Sequence, residues 1–96
     1  MIIPEKVKIL FKEYEVIEET NLHDGQSELY GQIRYIDEVI ALNPASSEEQ
    51  KKATLIHEVL HGIDDLYRIG LEEEQIEKLG NAMYMFLKDN EEMFKE

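Results

Sequence analysis

At 96 residues the chain has room for one folded domain. Its 22 acidic side chains outnumber 10 basic ones, and the resulting net charge of −12 disfavours a phosphate backbone as a direct partner. There is no cysteine to form a disulfide or a thiolate metal site, so a core this small has no covalent staple. Nowhere do about 18 apolar residues run together, and Met1-Ile2-Ile3-Pro4 does not open an apolar leader. A single globular domain in the cytoplasm, with no membrane association, is the expectation.

In chain order, Lys6 to Glu19 interleaves Val7, Ile9, Tyr14, Val16 and Ile17 with charges, the pattern of a half-buried strand. Its alternation loses phase near Phe11-Lys12, where a bend is expected. Thr20 to Gly25 is rich in turn formers and places His23 on the surface. Leu29 to Ile36 and Val39 to Leu42 then look like two strands joined at Asp37-Glu38, completing a small antiparallel sheet of about three strands over residues 6–42.

Asn43-Pro44 closes the β region. Ser46 with Glu49, or Ser47 with Gln50, offers a capping box for a helix over about 47–67. Ala53, Ile56, Leu60, Ile63 and Tyr67 are spaced as its core-facing stripe, and Gly70 is placed to stop it. A second helix, about 72–90, carries Ile76, Leu79, Met83 and Phe86 at helical spacing. The short connection makes the two helices antiparallel neighbours. Acidic runs such as Glu72-Glu73-Glu74 and Glu91-Glu92 read as solvated faces. The fold class is α+β: a sheet followed by two packed helices.

One motif stands out. His57-Glu58-Val59-Leu60-His61 is an HExxH sequence in the middle of the first helix. Residues i and i+4 lie on one face, one turn apart, so two imidazoles can grip one Zn2+ while Glu58 stands beside them as a general base. With three histidines and 17 glutamates in the chain, an accidental match is expected only roughly 0.02 times. Zinc catalysis needs a third protein ligand. The metzincin continuation requires Gly at 64 and His at 67, where this chain has Asp64 and Tyr67, so that class is excluded. Asp64 and Asp65 lie too far along the helix to ligate easily, and Asp64 is better suited to orient His61.

The third ligand is therefore sought on the second helix. Helix geometry leaves Glu73 and Glu77 both open: Glu73 if the first helix unwinds early, Glu77 if it continues to Tyr67. Gly80 suggests that the two helices pack closely. Tyr30, Tyr35, Tyr67 and Tyr84 are candidates to stabilise an oxyanion, although packing suffices to explain each of them.

A sheet, an HExxH helix and a following helix that bears glutamate together resemble the small gluzincin-type zinc metallopeptidase domains. More closely, the chain resembles short phage and mobile-element proteins grouped near the ImmA/IrrE metallopeptidases. The likeness runs from Leu29 to Asn90, through Leu29-Tyr30-Gly31-Gln32-Ile33, Thr54 to Asp64, Leu71 to Leu79 and Leu87 to Asn90. The phage-type pattern, a Glu followed by an aliphatic residue at +3 and Leu at +6, falls on Glu73 with Ile76 and Leu79, so the resemblance implies Glu73 as the third zinc ligand, with Glu77 as the alternative. The longer ImmA/IrrE pattern falls on Glu77 with Gly80-Asn81, where Gly80 departs from the usual Ala.

The resemblance implies a zinc-dependent endopeptidase whose protein substrate is a phage or mobile-element regulator. The negative charge favours a basic partner. The alternative is a non-catalytic or latent accessory protein in which zinc only ties the helices together. Oligomeric state is not fixed by the sequence.

Overall fold

A computed structural model describes residues 1–96 as four strands and two helices. The strands are β1 (Lys6–Ile9), β2 (Lys12–Glu18), β3 (Gly31–Arg34) and β4 (Val39–Leu42). The helices are α1 (Glu48–Tyr67) and α2 (Glu73–Asp89), and a 3-10 turn follows at Glu91–Phe94.

The α+β class holds, but the sheet differs from the expectation in two ways. It has four strands rather than three, because the bend expected near Phe11-Lys12 is a full hairpin turn, with Ile9 paired to Lys12. Leu10 makes that turn in the left-handed region at φ 56°, without the Gly or Asn that would mark it in sequence. The sheet is also mixed. Its order is β1-β2-β4-β3, and β2 runs parallel to β4 while the other two pairings are antiparallel. Composition explains the order: Val39-Ile40-Ala41-Leu42 is wholly apolar and three of its residues are buried, which suits a central strand. Gly31-Gln32-Ile33-Arg34 is half-buried throughout and suits an edge.

One face of the sheet carries the core. Ile9, Tyr14, Ile40 and Leu42 meet Leu55 of α1, with Val59, Ile63 and Leu66 packed around them. The α1 stripe is thus rotated from the expected one: Thr54, Leu55, Glu58 and Gly62 are its buried positions, while Tyr67 is 56% exposed. The rotation follows from α1 lying between two neighbours, the sheet and α2. Leu60, expected in the core stripe, faces α2 at Gly80. On α2 the buried line is Ile76, Gly80 and Tyr84, and Leu79, Met83 and Phe86 of the expected stripe are 36–44% exposed.

Ser47 is the N-cap of α1, its Oγ accepting from the Gln50 N–H at 3.1 Å. The Gln50 side chain donates onward to Thr54 Oγ1 at 3.0 Å, so this end forms a simple cap. At the other end α1 stops at Arg68, in the left-handed conformation, two residues before Gly70. Within α2, an added methyl at Gly80 would meet the His57 Cα at an ordinary 3.5 Å, so the helices approach closely without demanding glycine there.

Tyr14 is fully buried, and its hydroxyl oxygen has no hydrogen-bond partner. A buried polar atom left unpaired costs about 1–3 kcal/mol, more than an aromatic C–H in its place. Tyr14→Phe is therefore expected to raise stability by about 1 kcal/mol in urea denaturation. Tyr14→Ala, which empties the centre of the core, should lower it by about 3–5 kcal/mol.

Candidate metal centre

The buried side of α1 sits close against the edge strand. An added methyl at Gly31 of β3 would stand 2.5 Å from Thr54 Cγ2 and 2.9 Å from the Ala41 carbonyl oxygen. One at Gly62 would stand 2.7 Å from Ile9 Cδ1. These two glycines let the helix descend onto the sheet. The descent brings Glu58, at 8% exposure, to the free side of β3, where its Oε1 accepts the Ile33 N–H at 3.1 Å. Burial pushes the Glu58 carboxyl above its ordinary range, against the opposing pull of His61 and of the Ile33 N–H; Glu73 adds to the rise.

His57 and His61 share the next face of α1, with ring centroids 4.9 Å apart and an edge-on arrangement. Each side chain is about one quarter exposed. Glu73, the first residue of α2, spans them. Its Oε1 lies 3.2 Å from His57 Nε2 and its Oε2 lies 3.0 Å from His61 Nε2. A ligating atom from each of the three residues falls within 4.8 Å of the other two, so the group could hold a metal ion.

Glu77 lines the same cleft but lies outside that group. The expectation that tied Glu77 to a first helix continuing to Tyr67 does not hold, because α1 does reach Tyr67 and Glu73 still meets both histidines. Five residues, Arg68 to Glu72, suffice for the chain to return.

Asp64 is engaged with that return. Its Oδ1 accepts the N–H groups of both Gly70 and Leu71 at 2.8 Å, and its backbone carbonyl accepts from Ile69. The structure thus gives Asp64 hydrogen bonds that fix the approach of α2, rather than the bond to His61 expected of it. Glu72 starts α2, with its N–H donated to Gln75 Oε1 at 2.9 Å. The position of Glu73 therefore rests on Asp64 and on this cap.

The cleft in front of the group has a volume of about 450 Å3. Leu29 and Tyr30, which lead into β3, and Gly31 at its start form one wall, and α1 and α2 form the others. Of the four tyrosines considered for an oxyanion, only Tyr30 lines it. Tyr35 instead donates its hydroxyl to the His61 carbonyl at 3.3 Å, Tyr84 is buried, and Tyr67 is exposed elsewhere. His23 is exposed and lies in a turn built on Asp24.

Two contributors were not legible as such in the sequence. Asn43, 5% exposed, donates Nδ2–H to the Leu29 carbonyl and its N–H to the Tyr30 carbonyl, fixing the strand-side wall. Thr54 fills the space beside Gly31. The Asn-Pro pair marks only the end of a strand, and nothing local shows that Asn43 reaches back 14 residues.

Comparison with protein-family models, curated proteins and solved structures found no match.

The geometry sets two expectations. Removing one of three ligands should weaken metal binding at least about tenfold to a hundredfold, a scale that loss of even an outlying partner can reach. His61→Ala and Glu73→Ala should each do this in isothermal titration with Zn2+, and Glu77→Ala should leave the affinity within about threefold. The second concerns Tyr35, whose hydroxyl is pushed up to about 12, chiefly by burial and also by Asp65 and Glu58. Below pH 10 both folded and unfolded chains keep this proton. Between pH 10 and 12 the unfolded chain releases it while the folded one retains it, so stability falls as pH rises. Chemical denaturation at pH 9 and pH 11.5 should show a smaller loss in Tyr35→Phe than in the parent.

Proposed function

We propose that the protein is a zinc-dependent metallopeptidase that cleaves an extended peptide held across the cleft. The observation that carries this reading is the convergence of His57, His61 and Glu73 beside a buried glutamate, Glu58, in an HExxH helix. Two imidazole nitrogens and a carboxylate oxygen are a donor set suited to zinc, and three protein ligands are what a catalytic site uses. When bound, zinc supplies Lewis acidity, which acidifies a neighbouring water and polarises a carbonyl.

The remaining roles belong to the chain. His57, His61 and Glu73 would hold the ion. Glu58, one residue from His57 and held in orientation by the Ile33 N–H, would accept a proton from the attacking water and pass it to the leaving amine. An extended peptide has a natural rest along β3, whose outer side carries no further strand, in the manner of strand addition to a sheet edge. The sequence resemblance to ImmA/IrrE-like proteins makes a regulator of a phage or mobile element the proposed substrate class. Action inside a bacterial cell is part of the same proposal; no helix is long and apolar enough to cross a membrane.

A second reading has its own observation. Glu58 Oε1 already bonds the Ile33 N–H, so the glutamate also ties α1 to the sheet, as it would in a protein where the metal only joins the helices.

Glu58→Gln separates the two readings, because the amide oxygen can still accept from Ile33 while the base is gone. The variant should bind one zinc and melt within a few degrees of the parent. Peptide turnover should fall by about two to four orders of magnitude. A parent protein that holds zinc at these residues and cuts no peptide in a broad library supports the second reading.

A further inference from the structure

We propose that Glu77, with Asn81 one turn further along α2, forms a subsite for a cationic side chain of the peptide that enters the cleft. The inference rests on the metallopeptidase reading and names the kind of residue that the site selects.

The lining of the cleft includes no lysine and no arginine. Three carboxylates face it: Glu58 is bonded to the Ile33 N–H, Glu73 spans the histidines, and Glu77 takes part in no ion pair. The basic residues of the two helices that form ion pairs do so with other carboxylates, Lys51 with Glu18 at 2.6 Å and Glu48 at 3.6 Å, Lys78 with Glu74 at 3.0 Å and Lys88 with Glu49 at 2.7 Å. Across from Glu77 and Asn81, α1 presents Ala53, whose methyl group leaves room for an alkyl stem, and Gln50. The Gln50 carboxamide spends an N–H on Thr54, leaving its carbonyl oxygen as a further acceptor.

A lysine or arginine side chain would find here one carboxylate, carboxamide oxygens and an apolar stem contact. Beside Glu77 a glutamate would find no basic side chain to offset its loss of water. The net charge of −12 steers in the same direction at longer range.

The test uses zinc-loaded Glu58→Gln protein, so that binding is read without turnover. Fluorescein-labelled peptides carry Lys, norleucine or Glu at one position, scanned along the chain, and anisotropy reports affinity. At one position Lys should bind about three- to tenfold tighter than Glu at low salt, with the gap closing at high salt. Adding Glu77→Gln should reduce the gap to within about twofold, and Glu77→Lys should invert it. No gap at any position, or a gap unchanged by Glu77→Gln, overturns the proposal. Loss of zinc in the Glu77→Gln protein also overturns it, by placing that carboxylate on the metal. Failure of the metallopeptidase reading would appear separately, as absence of turnover in protein that retains Glu58, and leaves the charge preference readable as binding.

Discussion

The close seat of α1 on the edge strand is the constraint from which the rest of the site follows. Gly31 and Gly62 remove the side chains that would hold the helix off, and the Ile33 N–H closes the gap by bonding Glu58. With Glu58 turned into the sheet, the helical period puts His57 and His61 together on the adjoining face, toward α2 and the cleft. A helix raised by the width of a methyl group would lose the bond between Glu58 and the strand, and with it the fixed angle of the two imidazoles.

The second half of the site depends on how the chain returns. Asp64 gathers the N–H groups of Gly70 and Leu71, Gln75 caps Glu72, and Glu73 then emerges beside both histidines. Helix α2 packs chiefly on α1, with its buried line limited to Ile76, Gly80 and Tyr84. A domain with so few buried side chains and no cysteine gains from any further tie between its helices. A metal ion shared by α1 and α2 would supply one, because binding to the folded state alone is itself stabilising. Stability and chemistry would then rest on the same three side chains.

The parts of this arrangement that were legible in the sequence are those written in local patterns. The HExxH spacing, a serine cap at Ser46 or Ser47 and the span of α1 are all short-range signals, and α1 begins and ends within about a residue of the expected limits. The phage-type pattern pointed to Glu73 and the structure groups it with the histidines, whereas helix geometry and the longer ImmA/IrrE pattern left Glu77 open. A turn without turn residues was harder to see: Leu10 adopts positive φ where Gly or Asn would have announced it, and it hid a strand boundary. The parallel pairing of β2 with β4 was invisible because it depends on which strand of a distant hairpin docks inward. Its one local trace is the unbroken apolar run of β4. The buried stripes of the helices differ from those the periodicity implies for a related reason, since α1 is covered on two sides and α2 on one, and periodicity does not reveal the number of neighbours.

Both the stabilising tie between the helices and the proposed chemistry require that His57, His61 and Glu73 together hold a zinc ion. X-ray absorption at the zinc edge, on protein loaded with one equivalent, tests it most directly. The expected spectrum shows a low-coordinate site with two imidazole nitrogens and carboxylate oxygen at about 2.0–2.2 Å, and it loses one imidazole in His61→Ala. A six-oxygen shell without imidazole scattering, or a spectrum identical in the parent and the His61→Ala variant, would contradict it.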